Sequence, residues 1–184
     1  MAAARACTLC ADTLPLGPRP VLRAAATSRI LIIGQAPGTK VHSSGIPWND
    51  PSGIRLRRWM GVDDATFYDE SRVAILPMGL CYPGVLPTGG DKPPMPICAP
   101  MWHPRIRPWL KEVTLTLAVG SYAITHLLRR KNMTDTVRDF QVFLPDIIPL
   151  PHPSWRTTGW EARNPWFGAA VLPVLRERVL AALS

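Results

Sequence analysis

Long apolar runs, acidic residues and cysteine are all scarce in this chain, and each shortage excludes something. No apolar stretch approaches the roughly 18 residues that a membrane-spanning helix needs, so no membrane partner is expected. The first residues carry Arg5 but no apolar core of a secretion signal, and Cys7 and Cys10 stand where one would lie. A cytoplasmic protein is the expectation. Four cysteines among 184 residues are too few for a disulfide-stapled secreted scaffold; in the cytoplasm they stay free or bind metal. Only 13 Asp and Glu stand against 21 Lys and Arg, a net charge of +8. Most of the basic residues are Arg, which forks onto phosphate as Lys does not. A solvated basic surface is the plain reading, and a nucleic-acid partner is the sharper one.

What is plentiful is proline, with 21 residues, and tryptophan, with seven. Hydrophobic residues make up 47% of the chain, enough for a real core. One domain over 1–184 is expected, a monomer without internal repeats, whose first 28 residues are irregular. Continuous apolar runs at 30–33, 73–76, 115–119 and 147–150 predict four strands. Between them, helices are expected after Gly53, over 103–112, 121–130 and 170–182, with 132–143 a further helix or a connection. In the first of these, Ile54, Leu56, Trp59 and Met60 form the apolar side, and Arg55, Arg57 and Arg58 lie largely on the other. Residues 34–52 and 77–101 are expected to be loops, the second because of its many prolines. Strands alternating with helices predict an α/β fold, a three-layer αβα sandwich around a mostly parallel four-stranded sheet.

Two strand ends draw attention. Ile30–Ile33 stops in Gly34-Gln35-Ala36-Pro37-Gly38, and Ile147–Leu150 stops in Pro151-His152-Pro153-Ser154-Trp155-Arg156. Ligands of open α/β sheets sit at such carboxyl ends. A loop that begins with glycine lets backbone N–H groups approach a ligand. A histidine framed by two prolines is held ready to donate. Asp50, in Trp48-Asn49-Asp50-Pro51-Ser52-Gly53, is either a helix cap or a carboxylate for chemistry. His42, His103 and His126 have no comparable setting and suit surface or core roles. The cysteines Cys7, Cys10, Cys81 and Cys98 begin with a Cys-x-x-Cys pair, and four thiolates suit Zn²⁺ or an iron–sulfur cluster equally well.

These motifs together resemble the uracil-DNA glycosylase superfamily, above all its iron–sulfur-containing prokaryotic branches, over nearly the whole chain. Gly34–Gly38 is similar to the first active-site motif and His152–Arg156 to the second. The resemblance implies an enzyme that flips uracil out of DNA and hydrolyses its glycosidic bond, leaving uracil and an abasic site. It implies catalytic roles for Asp50 and His152. Base contacts fall to Gly34, Gln35, Ala36, Pro37, Gly38, Trp48, Asn49 and Pro77, and DNA contacts to Ser52, Ser154, Trp155 and Arg156. Cys7, Cys10, Cys81 and Cys98 fall on the ligands of a structural [4Fe-4S] cluster, with Zn²⁺ as the alternative.

The first motif departs from the family pattern. The best-known branch has Asp where this chain has Ala36, and the usual iron–sulfur branch has Glu where it has Gln35. A branch that also lacks a carboxylate there uses the Asp of Gly-Asp-x-Ser-Gly, with which Asn49–Gly53 aligns. The Asn that reads the uracil edge in several branches is replaced by Pro77. These departures open two alternatives: a glycosylase for other deaminated bases as well, and a protein that binds lesions or abasic sites with weak activity.

Overall fold

The computed structural model describes residues 1–184. In chain order its elements are α1 (Ala2–Arg5), β1 (Ile30–Ile33), α2 (Thr39–Ser44), α3 (Pro51–Met60), α4 (Asp64–Tyr68), β2 (Val73–Ile75) and α5 (Cys98–Ile106). Then come β3 (Leu115–Val119), α6 (Ser121–Leu128), α7 (Met133–Arg138), β4 (Ile147–Leu150), α8 (Thr157–Arg163) and α9 (Leu172–Leu183). The strands form one sheet in the order β2-β1-β3-β4, and every pairing is parallel.

That order follows from physical rules applied to the apolar runs. Every residue of β1, β2 and β3 is buried, as is required when helices cover both faces of a parallel sheet. The chain steps from β1 to β2 on one side, then crosses back to place β3 and β4 on the other. Right-handed crossovers in opposite directions put their helices on opposite faces. Accordingly α3 packs with α9, which lies against β1 and β3. α5 and α6 flank a groove whose floor is Leu31 and Thr116, paired neighbours on β1 and β3. The direction of travel reverses between β1 and β3, and that reversal opens a crevice at their carboxyl ends.

The segment before β1 is less irregular than its composition implies. Arg23 exchanges two backbone hydrogen bonds with Ile75, of 3.0 and 2.7 Å, as an antiparallel bridge on the outer edge of β2. Val21 N–H continues this contact to the Leu80 carbonyl at 2.7 Å. The open edge of the sheet is thereby covered. Helix bounds also differ from the sequence reading. α5 begins at Cys98, since Pro100 falls in its first turn, where proline is tolerated, and runs through an interior Pro104 to Ile106. α2 arises within an expected loop, and α4 and α8 where no element was expected, each shorter than eight residues. Residues 132–143 divide into α7 and a tight turn over Phe140–Phe143, and α9 is preceded by one wide turn over Phe167–Val171.

α3 is the element that matters most for function. Pro51 opens it, and the Asp50 carboxylate caps it by accepting from Gly53 N–H at 2.7 Å. Its buried side is Leu56, Arg57, Trp59 and Met60, while Ile54 is exposed. This corrects the sequence reading, which put Ile54 inside and Arg57 outside. Arg57 is buried because it ties the turn to α4: its Nε reaches Asp64 at 2.6 Å, and its Nη1 donates to the Tyr68 hydroxyl and the Trp48 carbonyl. The turn before α3 tolerates nothing larger than glycine at position 53. A Cβ there would lie 1.7 Å from the Trp48 carbonyl oxygen, an atom of the backbone that cannot swing away. Gly53→Ala is therefore expected to cost about 1–3 kcal/mol and lower the melting temperature by about 2–10 °C. An unchanged melting curve would refute this account of the turn.

Candidate active site

A cleft of about 560 Å³ opens at the carboxyl end of the sheet, within the range of small-molecule sites. One wall is Gly34-Gln35-Ala36-Pro37-Gly38, the turn after β1. Pro77, after β2, contributes a backbone wall, and its carbonyl accepts from the buried His103 Nε2 at 3.1 Å. His152, Ser154, Trp155 and Arg156 come from the loop after β4; Trp48, Asp50 and Ser52 come from the turn into α3. Three strand ends and one helix start thus converge on the crevice that the topology creates. Of the residues expected from sequence to face a base, Asn49 alone is not part of the cleft lining, and it is exposed.

Trp48 links these walls. Its backbone has φ of 57°, a left-handed conformation that is rare for a bulky residue and costs about 1–3 kcal/mol. The strained turn swings the indole across the cleft until it packs on Gly34. A Cβ at Gly34 would lie 2.8 Å from Cζ2 of the ring, so glycine is needed there. The same ring lies 5.6 Å from the His152 imidazole, centroid to centroid, at an interplanar angle of 32°. His152 is fixed through its backbone. Its carbonyl accepts from Ser154 N–H at 2.8 Å and from the Thr157 hydroxyl. Arg55, on α3, clamps the following turn by donating to the Ser154 carbonyl at 2.8 Å.

The electrostatics of the cleft are set by burial. Burial holds the His152 imidazole below the ordinary histidine value, and the carboxylates of Asp50 and Asp91 pull it only part of the way back. At neutral pH the ring is therefore uncharged: a donor at one nitrogen and an acceptor at the other. Asp50 Oδ1 is committed to the cap of α3, and Oδ2 takes no hydrogen bond from the chain. The helix-capping and the chemical readings of this residue are thus compatible.

At the mouth, Trp155 is 78% exposed, and the Arg156 guanidinium lies 5.2 Å over its ring. Of the three α3 arginines, only Arg58 is freely exposed, since Arg57 is buried and Arg55 is tied to α8 through Thr158 and Glu161. Asn164 and Trp166 support α8 from below: Asn164 donates to the Trp160 carbonyl at 2.8 Å, and Trp166 packs edge-on against the Trp160 ring. Of the lining residues not singled out from the sequence, only one is charged. Asp91, from the proline-rich loop after β2, reaches over Gly38.

The four cysteines meet away from the cleft. Cys7, Cys10, Cys81 and Cys98 line one small cavity, together with Leu14, Leu80 and Met95. Leu80 N–H points at the Cys98 sulfur, 3.2 Å away. Burial, aided by the neighbouring thiols, raises Cys10 and Cys81 above the usual thiol range and pushes Cys98 up to about 11. No three of these or other His, Cys, Asp or Glu side chains are gathered tightly enough to hold a single ion.

A family model described as the uracil DNA glycosylase superfamily matches residues 22–176, which include every strand and all of the cleft lining except Val21. No helix is long and apolar enough to cross a membrane. With a parallel four-stranded α/β sheet and this match over most of its length, the chain belongs to the uracil DNA glycosylase superfamily, a family of hydrolases that remove bases from DNA.

Proposed function

We propose that this chain excises uracil from DNA, with His152 and Asp50 on opposite sides of the scissile bond. The observation that carries the reading is the convergence of a neutral imidazole, a carboxylate and a strained indole on one base-sized cleft. Breaking the bond between C1′ and N1 leaves positive charge on the sugar and negative charge on the departing base. A neutral His152 donates a hydrogen bond to the uracil oxygen as that charge develops. A preorganised donor of this kind is worth about 10²–10³ in rate. Asp50 stands on the other side, where its free oxygen stabilises the cationic sugar or orients the attacking water. Water adds to C1′ as the bonding electron pair leaves with uracil.

The bond is out of reach inside a duplex, so the nucleotide must be flipped out at a cost of a few kcal/mol. Trp48 offsets part of this by stacking on the base, at roughly 1–3 kcal/mol. Trp155, exposed beside the cleft, is suited to fill the gap in the base stack, and Arg156 and Ser154 to hold phosphate. A broader range of deaminated bases is the second reading. It is favoured by Pro77, which offers a backbone carbonyl already engaged by His103 where an edge-reading amide would stand.

The cysteine cavity suits a structural [4Fe-4S] cluster. Its ligands would be Cys7, Cys10, Cys81 and Cys98, and the Leu80 N–H would support one of the sulfurs. The donor set is four thiols, which suits an iron–sulfur cluster, with zinc as the alternative. Bound there, the cluster would tie the first ten residues to the loop after β2 and would take no part in the chemistry.

Two measurements test these readings. In single-turnover assays on a uracil-containing oligonucleotide, Asp50→Asn and His152→Ala are each expected to slow excision by about tenfold or more while melting close to the wild type. Wild-type rates in both would remove the proposed mechanism. Elemental analysis of the anaerobically purified protein is expected to give about four iron and four sulfide per chain, lost in Cys81→Ser together with thermal stability. Zinc alone, or no metal, would overturn the cluster.

A further inference from the structure

The cleft has a second carboxylate, and its position suggests what it reads. Asp91 lies at the end of a small hairpin in the loop after β2. Leu86 N–H donates to the Gly90 carbonyl at 2.9 Å, and Lys92 N–H to the Gly84 carbonyl at 2.8 Å. Val85 and Asp91 pair as an antiparallel bridge, and Gly89 and Gly90 turn the chain between them with φ of 85° and 91°. Gln35, on the turn after β1, donates its side-chain amide to the Lys92 carbonyl at 2.9 Å and so ties the hairpin to the cleft wall. This engages the amide nitrogen of the Gln35 side chain in the hairpin. Asp91 is thereby held over Gly38, its Oδ2 3.6 Å from where a Cβ at that position would lie.

Four features of Asp91 point to a ligand. It lines the cleft beside Gly38, with the neighbouring Gly90 against the Arg156 guanidinium, whereas Asp50 lines it from the start of α3. Its carboxylate takes no hydrogen bond from the chain, although Asp50, His152 and Arg156 all lie near enough to act on its charge. The cleft wall withdraws enough water to raise its pKa despite its open outer side; His152 and Arg156 oppose that rise and Asp50 adds to it. It also supplies what Pro77 lacks, an acceptor side chain lining the cleft.

Deamination has one chemical signature that an acceptor can read. It converts the bare ring nitrogen of cytosine (N3) or adenine (N1) into an N–H, as in uracil N3–H and hypoxanthine N1–H. A carboxylate accepts from that N–H and repels the lone pair of the parent base. We propose that Asp91 is the specificity-determining residue of this cleft, accepting the ring N–H that uracil and hypoxanthine carry and that cytosine and adenine lack. The inference rests on the glycosylase reading above and names its substrate class: bases with a ring N–H beside the carbonyl that replaced an amine.

The test compares wild type, Asp91→Ala and Asp91→Glu in single-turnover excision from single-stranded oligonucleotides carrying uracil, hypoxanthine or N3-methyluracil. Asp91→Ala is expected to slow removal of uracil and hypoxanthine by about tenfold or more, the scale of a lost hydrogen bond to a charged group. It should not slow N3-methyluracil, so that the wild-type preference for uracil over its N3-methyl form shrinks by the same factor. Asp91→Glu should recover part of that preference, and affinity for undamaged DNA should change less than about threefold. Equal slowing of uracil and N3-methyluracil, or no slowing of either, would overturn the role of Asp91 while leaving the glycosylase reading intact. A wild-type protein that removes neither uracil nor hypoxanthine would instead sink that reading, and this inference with it.

Discussion

The site depends on one close approach, the Trp48 carbonyl lying where a Cβ on Gly53 would stand. Only glycine permits that approach, and the approach makes the rest possible. It leaves Asp50 positioned to cap α3 and forces Trp48 into a left-handed conformation. It also throws the indole across the cleft onto Gly34 and alongside His152. Arg57 holds the same carbonyl from below, buried at the expense of a solvated place on the helix surface. Strain of this kind persists only where surrounding structure over-determines it. Here, packing from β1, α3 and the loop after β4 supplies that constraint.

The same geometry sets the electrostatics. Burial keeps His152 neutral, so it can donate without carrying a charge that would have to be desolvated with it. Asp50 and Asp91 face the ring from two elements, α3 and the hairpin after β2, and their charges limit how far its pKa falls. The chain carries no carboxylate in the turn after β1, where its family often has one, yet the cleft does not lack anionic groups. They arrive from other loops, one fixed by a helix cap and one by the Gln35 tether. In this reading Gln35 acts on the base through Asp91.

Much of this was legible in the sequence because its signals were strong. Four continuous apolar runs, each stopped by glycine, proline or a charged turn, gave strands within a residue of their observed ends. The Gly34–Gly38 and His152–Arg156 loops were readable because both follow buried strands directly. What escaped was encoded in contacts rather than in pattern. α2, α4 and α8 span fewer than two turns each, too short for an apolar period to register. Arg57 looked like a surface charge because nothing local reveals that Asp64, Tyr68 and the Trp48 carbonyl surround it. Asn49 shares a motif with Trp48 and Asp50, but it is exposed and no part of the cleft lining. Asp91, a lone acid among prolines and glycines, reads as a solvated turn until Gln35 is seen to hold its hairpin.

The account turns on a base lying between an imidazole and a carboxylate, with the indole against its face. A crystal structure of the protein on a duplex carrying 2′-fluoro-deoxyuridine, which resists cleavage, examines this directly. The account predicts the uracil out of the helix and stacked on Trp48, one carbonyl oxygen within hydrogen-bond distance of His152 and its sugar beside Asp50. A uracil left in the base stack, or lodged in a pocket that His152 does not reach, would contradict it.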